Sequence, residues 1–145
     1  TKTKYPDFGK IIRDEVTSKL DAKEIANIIR DDIKENMDKG LNADGSKMRA
    51  LAPETIKIKK KYGGIAPRKP LIFKGGSQKG VKSTGIDKKN AVVTSTGMAK
   101  DYYGKNNISS KEMFQYQALQ DRDPFGYSDK ADKEVEKYIK RKLGR

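Results

Sequence analysis

The sequence predicts an α+β domain in which a long N-terminal helix and a C-terminal helix pack on a small antiparallel β-sheet, with extended basic loops between them. Three observations predict it. Apolar residues recur at helical spacing near both ends of the chain, and β-prone runs separated by short turns fill the middle. No connection between those runs is long enough for a crossover helix, so they pair antiparallel. A length of 145 residues fits one domain with a real core. Composition alone leaves folding open: 6 Leu, 13 Ile, 5 Val and 4 Phe stand beside a net charge of +13, near the border of disorder. Patterning therefore decides.

Residues 1–40 read as helical. Phe8, Ile11, Ile12, Val16 and Leu20 predict a short first helix, joined or bent near Leu20. From Asp21 onward Ile25, Ile28, Ile29, Ile33 and Met37 fall on one stripe. Asp21 and Glu24 have capping-box spacing and Gly40 supplies the stop, so a helix is expected over Ala22 to Lys39. Residues 41–70 form a loop punctuated by Asn42, Asp44 and Gly45, then a short basic helix opened by Pro53 and running through Lys61. Gly63, Gly64, Pro67 and Pro70 close it.

In residues 71–105 the preference turns to strands, at Leu71-Ile72-Phe73, Val81 to Ile86 and Ala91 to Thr96, separated by glycine-rich or Asp-Lys-Lys-Asn turns. Residues 106–127 read as a connector. Its stretch from Asn106 to Arg122 is ambiguous, because Ser109 and Glu112 suit a helix cap while Met113, Gln115, Gln117 and Leu119 alternate as in a strand. The final element, 128–143, is a helix: Ala131, Val135, Tyr138, Ile139 and Leu143 make its stripe, with acids early and Lys140, Arg141 and Lys142 late, as the helix dipole favours.

The chain holds neither cysteine nor histidine. That removes disulfides, thiol chemistry, Cys/His zinc sites and Ser-His or Cys-His nucleophile pairs. No run approaches the roughly 20 apolar residues of a membrane-spanning helix, and Thr1 to Lys10 lack the apolar core of a secretory signal. A soluble protein used without export is expected, with no catalytic residue, no metal and no cofactor.

Two local patterns approach known chemistry and fall short. Gly75 to Thr84 is near a phosphate-binding loop, but Val81 separates Gly80 from Lys82, where glycine must directly precede lysine, so a flexible basic hairpin loop is the better reading. Asp7, Asp21 and Lys23 loosely resemble a metal-dependent nuclease site, yet they sit at helix boundaries and Asp21 already has a capping role. Asp31, Asp32 and Glu35 read as a solvated helix face.

Charge is concentrated rather than spread. Residues 1–40 carry nine basic and nine acidic side chains, residues 41–105 fifteen against four, and residues 106–145 nine against seven. A positive middle region attracts polyanions, above all phosphate backbones. Lys57, Lys59, Lys60, Lys61, Arg68, Lys69, Lys79 and Lys82 are the candidate contacts to DNA or to an acidic partner surface. No base-reading helix or series of stacking aromatics accompanies them, so a nucleic-acid contact would be sequence-independent. A small nucleic-acid-binding protein is accordingly one expectation for the whole chain.

Several segments together resemble one family. Gly40 to Ser46 with its Asp44-Gly45 turn, Leu51-Ala52-Pro53-Glu54-Thr55 followed by lysines, Leu71 to Gly76, and Arg122-Asp123-Pro124-Phe125-Gly126 ahead of the last helix are similar, in order and spacing, to the virion morphogenesis and tail-completion proteins of tailed bacteriophages. The resemblance spans about residues 25 to 143. It implies a non-enzymatic structural protein of the head-to-tail junction, working in the virion after assembly in the host cytoplasm. Its partners would be copies of itself in a ring, commonly sixfold, together with tail-tube, tail-terminator, head-completion and connector proteins, with genomic DNA passing through. The motif residues Asp44, Gly45, Leu51, Pro53, Thr55, Gly75, Arg122, Pro124, Phe125 and Gly126 would serve structure. The segments 57–69 and 75–85 would be loops that order against neighbours.

Overall fold

The computed structural model describes residues 18–72, 75–100 and 107–144. The chain is an α+β fold. Among the described residues it has helices α1 (Ala22–Lys39), α2 (Pro53–Lys61), the single turn α3 (Gly76–Lys79), α4 (Ser110–Ala118) and α5 (Asp129–Leu143). Its strands are β1 (Val81–Gly85), β2 (Ala91–Ser95), β3 (Met98–Lys100) and β4 (Asn107–Ser109). The helix expected upstream, over Phe8 to Val16, lies outside the described residues.

α1 has the predicted bounds because local signals fix both ends. The Asp21 carboxylate accepts from the Lys23 N–H, and Gly40 takes the left-handed conformation, φ 68°, from which its N–H reaches the carbonyls of Asn36 and Met37. Its stripe turns Ile33 and Met37 into a core completed by Met48, Leu71, Val81 and Phe114. One face of α1 lies across the β1–β2 hairpin and another takes α5.

β1 and β2 pair antiparallel, Val81 opposite Ser95 and Gly85 opposite Ala91. The connecting turn is closed by the Asp87 carboxylate, which accepts from the Lys89 N–H and the Asn90 side chain. Alternation along β1 sends Val81 inward and Lys82 outward. β3 and β4 form a second two-stranded ribbon, Met98 opposite Ser109.

α5 is anchored to α1 at both ends. Its N-cap hydroxyl, Ser128 Oγ, accepts from the Ala131 N–H at 3.0 Å and donates to the buried Asp32 carboxylate at 2.6 Å. One helix-length away, the Asp21 N–H donates to the Tyr138 hydroxyl at 2.9 Å. Ala131, Val135 and Tyr138 are buried between. Asp32 is thus not part of a solvated acidic face: only Asp31 of the pair is exposed.

Three expectations need correction. Leu71 and Ile72 are not in a strand; they follow the Ala66–Lys69 turn and Pro70, and both side chains are buried, which the apolar run reflects as well as a strand would. In the glycine-rich 75–85 segment the part expected as a loop holds the helical turn α3, and β1 follows where a strand was expected from Val81. The 106–127 connector contains β4 and α4, and its ambiguity resolves at Ser109, which ends the strand and caps the helix by accepting from the Glu112 N–H. On α4 the period is helical, with Phe114 buried and Tyr116 and Leu119 outward.

Candidate interaction surface

Three of the four segments that carry the family resemblance come together. The Asp-Gly turn is held by Asp44, whose carboxylate accepts from the Ser46 N–H and hydroxyl at 2.9 and 2.5 Å, and these bonds hold its pKa below the usual carboxylate value. Gly45 has φ 86°, a conformation that favours glycine. The turn abuts the corner before α5: Asp123 N–H donates to the Asn42 side chain at 2.8 Å, and Ala43 N–H to the Asp123 carbonyl at 2.9 Å. A Cβ on Gly126 would lie 2.6 Å from the Ala43 Cβ, so contact here requires glycine. Pro124 is fully buried, and Phe125 meets Phe114 edge-on with centroids 4.9 Å apart.

Arg122 extends this junction. Its buried guanidinium donates to the carbonyls of Arg49 at 2.7 Å and Ala50 at 3.0 Å, and to the side-chain oxygens of Gln117 and Gln120. It therefore ties the segment leading into α2 to the end of α4. Leu51 is buried beside it, and Pro53 opens α2 at its first position. Between these parts is an open cleft of about 460 Å³, lined among others by Arg49, Leu51, Thr55, Tyr116, Gln117 and Arg122. Tyr116, 61% exposed, stands at it, and Leu119, 86% exposed, ends α4. No local pattern marks this cleft, because its lining comes from the ambiguous stretch and from a segment some 65 residues earlier in the chain.

Gly75 sits apart from this junction, in the left-handed conformation at the start of α3, with its Cβ position 3.4 Å from the Ile65 side chain.

The basic candidates divide. Lys57, Lys60 and Lys61 are exposed on one face of α2, at spacings of three and four. Arg68, Lys79 and Lys82 are exposed as well. None of these six forms an ion pair among the described residues. Lys69 bonds Asp38 at 2.7 Å.

Lys59 is a correction: it is 0% exposed and is no contact residue. Two residues from Lys57 it points to the opposite side of the helix, where its ammonium donates to the Lys69 carbonyl at 2.5 Å. Burial, and then the charge of Arg122, lower its pKa from 10.5 to about 8. Asp21, considered above as a nuclease carboxylate, caps α1 and lies beside Tyr138.

No protein-family model, curated protein or solved structure matches the chain.

Proposed function

We propose that this chain is a non-enzymatic structural protein of a tailed-bacteriophage virion, a tail-completion or neck component that forms a ring around the DNA path at the head-to-tail junction. The observation that carries the reading is the convergence of the resemblance: the Asp-Gly turn, the Leu51-to-Thr55 segment and the Arg122-to-Gly126 corner, separate in sequence, build one junction. An ordered motif series with a shared structural role is what a family fold requires. In this reading the chain assembles with copies of itself and meets tail-tube or tail-terminator proteins on one side and head-completion or connector proteins on the other.

The test is negative-stain electron microscopy of particles made without the protein, together with its localisation in intact particles. Full heads accumulating beside unjoined tails, with the protein found at the junction of complete particles, is the expected result. Normally joined particles would overturn the proposal.

A further inference from the structure

We infer that the outward face of α2 is a contact for the phosphate backbone of duplex DNA, made by Lys57, Lys60 and Lys61. The proposed function bears on this only as the source of the duplex, a genome passing the ring.

The first ground is uncompensated charge. Lysines elsewhere are partly neutralised, Lys39 and Lys130 by Glu35, Lys69 by Asp38, Lys137 by Glu134 and Lys140 by Glu136, and those that are not, such as Lys79 and Lys82, are not grouped on one helical face. The three α2 lysines have no ion pair among the described residues, and the one acid on the helix, exposed Glu54, forms none either. Three cations within little more than one helical turn face a duplex that carries one negative charge per ~3.4 Å of each strand.

The second ground is rigidity. α2 is not a solvated loop: the Lys59 ammonium holds it to the Lys69 carbonyl, and the Gly64 N–H donates to the Lys59 carbonyl at 2.7 Å. Lys59 is a positioning residue that fixes which face of α2 looks outward, so the lysine row is presented without the ordering cost a loop would carry.

The third ground is the chemistry of the face. It offers lysine alone, with no Arg, Asn or Gln to pair bidentately with base edges, so contact is to phosphates and independent of sequence. It has no apolar anchor among the three lysines, and lysine is depleted from protein–protein interfaces, which argues for a nucleic acid over an acidic protein. A stacking platform for single strands is also lacking on this face, since Tyr62 is half-buried with the Lys61 ammonium 5.5 Å from its ring centroid.

The experiment is fluorescence anisotropy of the full chain with two labelled duplexes of unrelated sequence, between about 50 and 200 mM salt. Binding equal for both duplexes is expected. The K57A/K60A/K61A variant should flatten the slope of log K against log salt by about 2.7 and weaken binding at least about tenfold, since each phosphate contact contributes about 0.9 to the slope. A control, K130A/K137A/K140A, removes the same charge from ion-paired positions and should leave the slope unchanged. All substitutions are at exposed helical sites, where alanine is compatible, and circular dichroism checks the fold. Equal losses in the two triple variants, absence of duplex binding by the full chain at the lowest salt, or tighter binding to polyglutamate than to duplex would each overturn the inference. Duplex binding through α2 alongside normal joining of particles lacking the protein would remove the junction role and leave this face standing. Unjoined particles alongside α2-independent binding would do the reverse.

Discussion

In the layer formed by α1 and α5, each helix is built by features within one or two turns: the Asp21 and Ser128 caps, the left-handed Gly40 and Gly144 stops, and ion pairs such as Lys39–Glu35 and Lys140–Glu136. The two helices are then joined by single hydrogen bonds, Ser128 to Asp32 and Asp21 to Tyr138. At the junction of the Asp-Gly turn with the pre-α5 corner, the bonds span the chain: Arg122 reaches Arg49 and Ala50 across 73 and 72 residues, and Asp123 reaches Asn42 across 81. Local features are redundant and partly solvated, so each contributes little. A buried long-range clamp has no local substitute, because four acceptors on two segments of the chain lose one shared donor when it is removed.

Substitutions can break that contrast, and the largest effect is expected at Arg122. Arg122→Met strands two backbone carbonyls and should cost about 3 kcal/mol in chemical denaturation, and Arg122→Lys should recover little because one ammonium cannot span the fork. A loss no larger than for a surface ion pair would erase the distinction between the regions.

Next comes the pH dependence set by Lys59. Its folded pKa, about 8, lies below its ordinary 10.5. Between those values the unfolded chain holds the extra proton, so stability should rise with pH from 8 upward, by about 2 kcal/mol as pH 10 is approached. Below pH 8 the cost of burying the cation is present in full. Tyr138, whose pKa is raised first by burial and then by its hydrogen bond to Glu24, acts in the opposite sense above pH 10, so the scan should stop short of it. The rise should be absent from Lys59→Met, and denaturation midpoints across this range read it directly.

Gly126→Ala should cost about 2 kcal/mol by driving its new methyl into Ala43, and adding Ala43→Gly should restore most of the loss. Failure of the second change to compensate would place the strain elsewhere. In the helical layer, Ser128→Ala removes a cap and the donor to the buried Asp32 carboxylate, an expected loss of about 2 kcal/mol. Smallest of all, Lys140→Ala should move the thermal midpoint by about a degree or less.

What was legible in the sequence follows the same division. The bounds of α1, α2 and α5 were readable because caps, a first-position proline and an apolar stripe act within a few residues. The strands β1 and β2 were readable because their β-branched runs flank a turn whose Asp and Asn hydrogen-bond locally. The Asn106 to Arg122 stretch was not, since Ser109 serves strand and helix at once and only its pairing partner chooses where one ends.

Among the candidate contacts, exposure could be read for Lys57, Lys60 and Lys61 from their spacing but not for Lys59. Nothing local marks a lysine as buried; the waiting carbonyl of Lys69 does that. The sequence by itself therefore determined where α1, α2 and α5 begin and end, how charge is distributed, and which chemistries are absent for want of cysteine and histidine. Tertiary structure alone decided that the Asp44 turn and the Pro124 corner touch, that Arg122 clamps the corner to the segment leading into α2, and that one lysine of four turns inward. Each of these depends on groups roughly ten to eighty residues apart meeting in half-buried contacts, where burial raises the cost of leaving a polar group unpartnered.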